Sequence, residues 1–501
     1  MINKVLFLQP FSLEKKHLKN EILIWELYLE NYLKSKLPHL NYELLYLPVE
    51  HALGNITINS YVEKEKFYDQ MLQLISKLKF EPDERTMVAL SGTTSEHFLP
   101  SKLICEFFQN HFPESIIVFG GAHASARPYD FSYSNSPVDY VVIGEGEIIM
   151  YELIKNSAKK KDLPLIMKSN KLPELDSLPE LDFSLFDKYI NHFSHLSISL
   201  SRGCPYKCNF CIEIELSEGK FKPWRSYSPK RAIKEVSNMV NYGTEHGINA
   251  YGFYDPIFGM NKKWLVAFLS LYNYEEMIYA WIETRLDILG DNLLKKLIEK
   301  NFYCMFGLES YSKEMLSIMN KTIDPVAYLK KFEHVYDFQR KNQRFFMINL
   351  LFNHPGETRK SYETTFNRLD EMVLEDNIEN TTLNIRFYNH FPGSHVYNNF
   401  DYYDIKYGSI AYYPEWFKNE QLLKAGPYCV RPSTGLSLRK SFMIFTERYK
   451  NLLEISKINK VRNKELILIP YIIHLQQQIK TLEINKNNFF YFLDQKEIEY
   501  L

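Results

Sequence analysis

Short runs that are apolar at nearly every position alternate with helix-spaced segments through the N-terminal third of the chain. Residues 4–8, 42–47, 87–90, 116–119 and 140–143 have the length and composition of strands, and 20–36, 63–78 and the stretch after Pro100 have helical spacing. Apolar residues at consecutive rather than alternate positions predict strands covered on both faces, hence a parallel sheet between two layers of helices. Ligands on such sheets lie across the carboxyl ends of the strands. The small residues gather there, as Ser91-Gly-Thr93, Gly120-Gly121 and the Gly-Glu-Gly-Glu turn at 144–147.

A second alternation begins at Leu196, with predicted strands at 196–200, 250–254, 279–283, 303–308, 345–352 and 382–387. Helical patterns lie between them, for example 228–246, where Ser228-Pro229 is a favoured helix start, and 293–299. Six strand–helix units predict a partial (β/α)6 barrel, with its chemistry at the C-terminal ends of the strands. Those ends carry Asp255, Arg285, Glu309, Glu357 and Arg386. The Pro-, Asp- and Leu-rich stretch 171–189 has no clean period and reads as a linker. After residue 400 come a Tyr-rich segment, a turn at 425–429 and a Lys-rich helical pattern from 438. The expected organisation is α/β: a doubly wound Rossmann-like domain over 1–160, a linker over 161–194, the barrel over 195–400 and a mainly helical region over 401–501.

Charge adds little, since 60 basic and 61 acidic residues leave a net charge of −1 and no global attraction for nucleic acid or an anionic membrane. The opening residues lack the apolar core of an export signal, and the longest late apolar run, 466–473, contains Pro470 and is far too short to span a bilayer. With its cysteines unpaired in sequence, a reducing cytoplasmic location is expected, with no membrane and no nucleic acid among the partners.

Cysteine spacing changes the picture most. Cys204, Cys208 and Cys211 stand together as CPYKCNFC just after an apolar run and Gly203, whereas Cys105, Cys304 and Cys429 are scattered singly. Three thiolates on one loop suit three irons of a [4Fe–4S] cube, leaving the fourth iron open to a substrate. Zinc wants a fourth protein ligand, and none stands nearby in sequence.

The segment resembles the CxxxCxxC signature of the radical S-adenosylmethionine (SAM) superfamily. The resemblance implies that SAM chelates the open iron, that Phe210 lies against its adenine, and that one electron splits SAM into methionine and a 5′-deoxyadenosyl radical. YGFYDPIFGMNKKW, ETRLD, FGLESYS with MNKT, and HPGET resemble successive core blocks of the subfamily that carries an N-terminal cobalamin-binding domain. On that resemblance Asp255, Arg285 and Glu309 join Phe210 around SAM. The first domain would hold cobalamin at Ser91, Thr93, Gly120 and Gly121, within a pattern that FGGAHASARP and GEGE match. His123 in that pattern is read either as a corrin contact or as a surface residue stabilising its loop. The Asp-x-His-x-x-Gly motif that supplies a histidine to cobalt is missing after the first strand; His51-x-x-Gly54 follows the second strand without the Asp, so His51 is expected to be an ordinary loop residue and cobalt to have no histidine ligand. The implied activity is methylation of an unactivated carbon in a peptide or natural-product substrate, with methylcobalamin as donor and a flavodoxin- or ferredoxin-like electron source. Rearrangement, ring closure or oxidation on the same framework is the alternative.

Overall fold

The computed structural model describes residues 2–11, 24–57, 64–156, 158–213, 224–274, 279–344, 346–375, 381–423 and 426–462. Two six-stranded parallel sheets organise them. The first contains β1 (Lys4–Gln9), β2 (Asn41–Tyr46), β3 (Thr86–Ser91), β4 (Ile116–Gly120), β5 (Tyr140–Ile143) and β6 (Leu165–Lys168) in the order β2-β1-β3-β4-β5-β6. Successive side chains of β1 serve two cores. Val5 and Phe7 pack with the helices Trp25–Lys36 and Glu147–Lys155, whereas Leu6 and Leu8 pack with Lys64–Ile75 and Phe98–His111. Burial on both faces is why the inner strands of this sheet read as nearly continuous apolar runs. Edge strand β6 was not visible in that pattern, because it is only four residues long and part-exposed. It pairs with β5 from Tyr140↔Leu165 to Ile143↔Lys168, so the first sheet extends into the segment expected to be linker.

The second sheet contains β7 (Leu196–Ile198), β10 (Ala250–Phe253), β11 (Tyr279–Thr284), β12 (Phe302–Glu309), β13 (Phe346–Phe352) and β14 (Thr381–Phe387), in the order β14-β13-β12-β11-β10-β7. Every pairing is parallel, and helices such as Pro229–Glu245, Pro325–Lys341 and Arg359–Leu374 return the chain between strands. The expected first barrel strand is broken in two: after β7 the chain turns into β8 (Ser201–Arg202), which pairs antiparallel with β9 (Arg225–Ser226). The Lys-rich C-terminal pattern is helix Leu438–Arg462, which packs on Arg359–Leu374, with Phe445 against Phe352, Phe366 and Phe387. The apolar run 466–473 lies outside the described residues. Among the described residues, no helix is long and apolar enough to cross a membrane.

Candidate functional site

Cys204, Cys208 and Cys211 lie part-buried on the loop that leaves β8 through Gly203, whose positive φ of 82° favours glycine. The loop is pinned from behind. Asn209 donates from its backbone to Met319 O at 2.9 Å and from its amide side chain to Ile318 O at 2.7 Å and Tyr403 Oη at 2.9 Å. Asn320 Nδ2 donates to Lys207 O at 2.7 Å. Burial pushes the Cys204 thiol up and that of Cys211 to about 12, so metal binding has to displace protons there. Among the described residues, no three His, Cys, Asp or Glu side chains converge as they would around one ion. A [4Fe–4S] cube would take one thiolate at each of three separate irons, and this loop offers three thiols.

The barrel rim meets this loop. Arg285, just past β11, stacks its guanidinium 3.7 Å from the centre of the Tyr206 ring and brings Nη1 to 3.7 Å from Cys208 Sγ. Asp287 holds it through two bonds of 2.9 and 2.8 Å, and Nη2 also donates to Lys321 O at 2.7 Å. On the adjacent strand, Glu309 occupies a left-handed backbone conformation (φ 67°) at a β-bulge, a strained arrangement for a non-glycine residue. Its carboxylate is paired in the interior with Lys321 Nζ at 2.9 Å. Lys321 lies within the quoted MNKT block but was not singled out from sequence; its pairing depends on a loop folding back over the bulge. Phe210 packs with His354, Tyr388 and Tyr403 at the end of β13. Asp255 is buried and bonds Leu200 N at 3.2 Å and the Ser201 hydroxyl, so it fixes the approach to β8.

Two neighbouring cavities lie between the sheets. A cavity of about 330 Å³ sits at the carboxyl ends of β3, β4 and β5 against Ser91, Gly120 and Gly121, roofed by Trp25 and Tyr28 and reached from the barrel side by Arg202. A second, of about 260 Å³, shares Gly121, Glu145 and Arg202 with the first and runs to Gly203 and Glu213 on the cysteine loop and to Tyr254. Ser91, Gly120 and Gly121 are thus where the sequence placed them. Gly121 has φ 93°, and a Cβ there would collide with the Ser91 hydroxyl.

Thr93 and His123 are not brought to these cavities. Thr93 Oγ1 lies 3.0 Å from His97 Nδ1. His123, expected at the corrin or at the surface, is 1% exposed and packed among Phe98, Phe131 and Phe417. Its Nδ1 lies 2.9 Å from Ser95 Oγ and its Nε2 3.5 Å from Asp130, and burial holds its pKa below the usual histidine range. The aromatic cover from Phe417, almost three hundred residues downstream, is what a local reading lacked. His51 is also buried, on the helix Leu47–Ala52, with Nδ1 2.9 Å from Ile56 O and its ring stacked on Phe11.

Beyond β13, Glu357 is buried, accepts from Asn353 N at 2.6 Å and from Ser361 Oγ at 3.2 Å, and burial pushes its pKa up to about 8. The folded chain therefore keeps a proton that the unfolded chain has released above about 4.5, so its contribution to stability is complete at low pH and is lost as pH rises through about 8. The melting temperature is expected to fall between about pH 4.5 and 8 and to level off above, and Glu357→Gln, which mimics the protonated carboxyl, should flatten that fall. An unchanged pH profile in the variant would contradict the assignment.

Residues 198–369 match the family model of the radical SAM superfamily. An uncharacterised methyltransferase of Pyrococcus horikoshii is 28% identical over 57% of this chain and 64% of its own length. An anaerobic magnesium-protoporphyrin IX monomethyl ester cyclase of Cereibacter sphaeroides is 24% identical over 62% of this chain and 52% of its own. The chain therefore spans less than two thirds of the length of these relatives. The fold is similar to that of the radical SAM methyltransferase TsrM from Kitasatospora setae, solved with cobalamin and a [4Fe–4S] cluster, with a TM-score of 0.59 and 15% identity over 79% of this chain and 74% of that one.

Proposed function

We propose that this chain, which belongs to the radical SAM superfamily, is a cobalamin-dependent methyltransferase acting on a carbon of a small-molecule or peptide substrate. Cys204, Cys208 and Cys211 would hold the [4Fe–4S] cluster, and the cavity at the ends of β3, β4 and β5 would take cobalamin. The observation that carries this reading is the adjoining pair of cavities, which connects the small-residue ends of the first sheet to the cysteine loop of the second. When bound, the cluster with SAM supplies a radical able to remove hydrogen from carbon, and cobalamin supplies a transferable methyl group. The chain's own residues bind, orient and enclose. Phe210 offers an aromatic face near the cysteines, Arg285 a cation and Glu309 an acceptor at the rim, while Trp25 and Tyr28 roof the apolar cavity. Among the described residues, no histidine lines either cavity.

Gly120 provides the test. A Cβ built there meets only Val142, at 3.7 Å or more, an ordinary contact, and Gly120 lines the cavity, so a side chain can begin there without collision. Gly120→Leu is expected to abolish cobalamin binding, read by absorbance after gel filtration, with the melting temperature close to wild type. Undiminished binding by the variant would place the cofactor elsewhere. Ring closure, as named for the Cereibacter relative, is the second reading; a product heavier by one methylene distinguishes methylation from it.

A further inference from the structure

Arg202 stands directly before Gly203 and Cys204, and it is one of the residues that line both cavities. Its Nη1 reaches Glu145 at 2.7 Å, on the turn that follows β5, and Glu147 at 2.8 Å, at the start of the helix Glu147–Lys155, both lining the first cavity. Arg225, across the β8–β9 ladder, makes a second ion pair to Glu145. The Arg202 guanidinium also lies 4.9 Å from the centre of the Tyr28 ring. Tyr28 clamps the chain a little upstream of the cysteines, donating to Ser199 O and accepting from Ser199 N, each at 3.0 Å. Two guanidiniums and two carboxylates thus form a compact, charge-balanced junction between the turn of the first domain and the two-residue strand that launches the cysteine loop. The Glu147 carboxylate is 4% exposed and that of Glu145 20%, so these bonds are poorly screened.

We infer that Arg202 is a positioning residue: on the functional reading above, it sets the separation and orientation of the cobalamin and the iron–sulfur cluster by tying the Glu145–Glu147 turn to the strand before Cys204. The geometry favours this over a general stabilising pair for two reasons. The tie joins the wall of one cofactor's cavity to the loop that would hold the other, and it does so three residues or fewer from both Cys204 and Gly144. A junction this short passes a displacement of the turn on to the loop with little slack.

Pulsed EPR on protein loaded with both cofactors and partly reduced, so that Co(II) and the reduced cluster are both paramagnetic, measures the distance between the two centres. Wild type should give one narrow distance distribution. Arg202→Gln should lose the narrow peak, and Arg202→Lys should lie between the two. Because Arg202→Gln leaves an excess carboxylate at the junction, Arg202→Gln/Glu147→Gln restores the charge balance while keeping only the Arg225–Glu145 pair, which links the turn to β9 and not directly to the strand before Cys204. It should regain the wild-type melting temperature but not the narrow peak. Loss of cobalamin alone from this double variant, with iron content and melting temperature retained, also supports the assignment. A wild-type distribution in the loaded Arg202→Gln or double variant would overturn it. Failure of the wild-type protein to bind cobalamin or to assemble the cluster would instead overturn the functional reading on which it rests.

Discussion

Cys208→Ala is expected to leave the anaerobically reconstituted protein without a stable [4Fe–4S] cluster, and 5′-deoxyadenosine formation from SAM should fall to background. Cys208 is the central thiol of the loop, and Arg285 Nη1 approaches it to 3.7 Å. Removing one of three protein ligands leaves two irons of the cube without a protein thiolate. Cys304→Ala is the control, because Cys304 is buried in β12, with its thiol pushed up to about 12, and packs in the barrel core. It should retain full iron and sulfide. A full cluster in the Cys208 variant, measured by iron and sulfide analysis, would remove this loop from the site.

The second large effect is expected at the barrel rim. Arg285→Ala and Glu309→Gln should each lower the yield of 5′-deoxyadenosine by on the order of 10- to 100-fold, the equivalent of one charge-assisted hydrogen bond of about 1.5–3 kcal/mol. The choice of substitution matters. Glu309→Ala would strand Lys321 in the interior without its partner, at a cost of about 3–5 kcal/mol, and confuse unfolding with loss of SAM binding. Glutamine keeps an acceptor for the lysine. Arg285→Ala removes a cation whose partner Asp287 is 33% exposed and can be solvated. Wild-type yields from both variants, with cluster content unchanged, would make these residues supports of the loop and not contacts of SAM.

The parts that were legible in the sequence are those whose cause is local. The inner strands of the first sheet appear as apolar runs because they are covered on two faces, and the three cysteines lie close together in the chain. Ser91, Gly120 and Gly121 could be placed at a cavity because a parallel sheet dictates where its strand ends lie. What was not legible depends on residues far apart in sequence. Trp416 and Phe417 complete the core of the first domain from beyond the barrel, with Trp416 Nε1 bonded to His390 O at 2.9 Å, and this cover is what encloses His123. The Tyr-rich segment after residue 400 proved to be a support, since Tyr403 holds Asn209 of the cysteine loop. Lys321 and Arg202 likewise have sequence neighbours that carry a recognisable motif, yet their partners are set only by the bulge in β12 and by the meeting of the two sheets.

EPR of the Co(II) form of the reconstituted protein reports both cobalamin binding and the cobalt's axial ligand. Bound Co(II) is expected to show no splitting from an axial nitrogen, because the cavities are lined by Ser91, Gly120, Gly121 and Arg202 while His51 and His123 are buried elsewhere among aromatic rings. Absence of bound Co(II), or a nitrogen splitting that disappears in His51→Ala or His123→Ala, would contradict it.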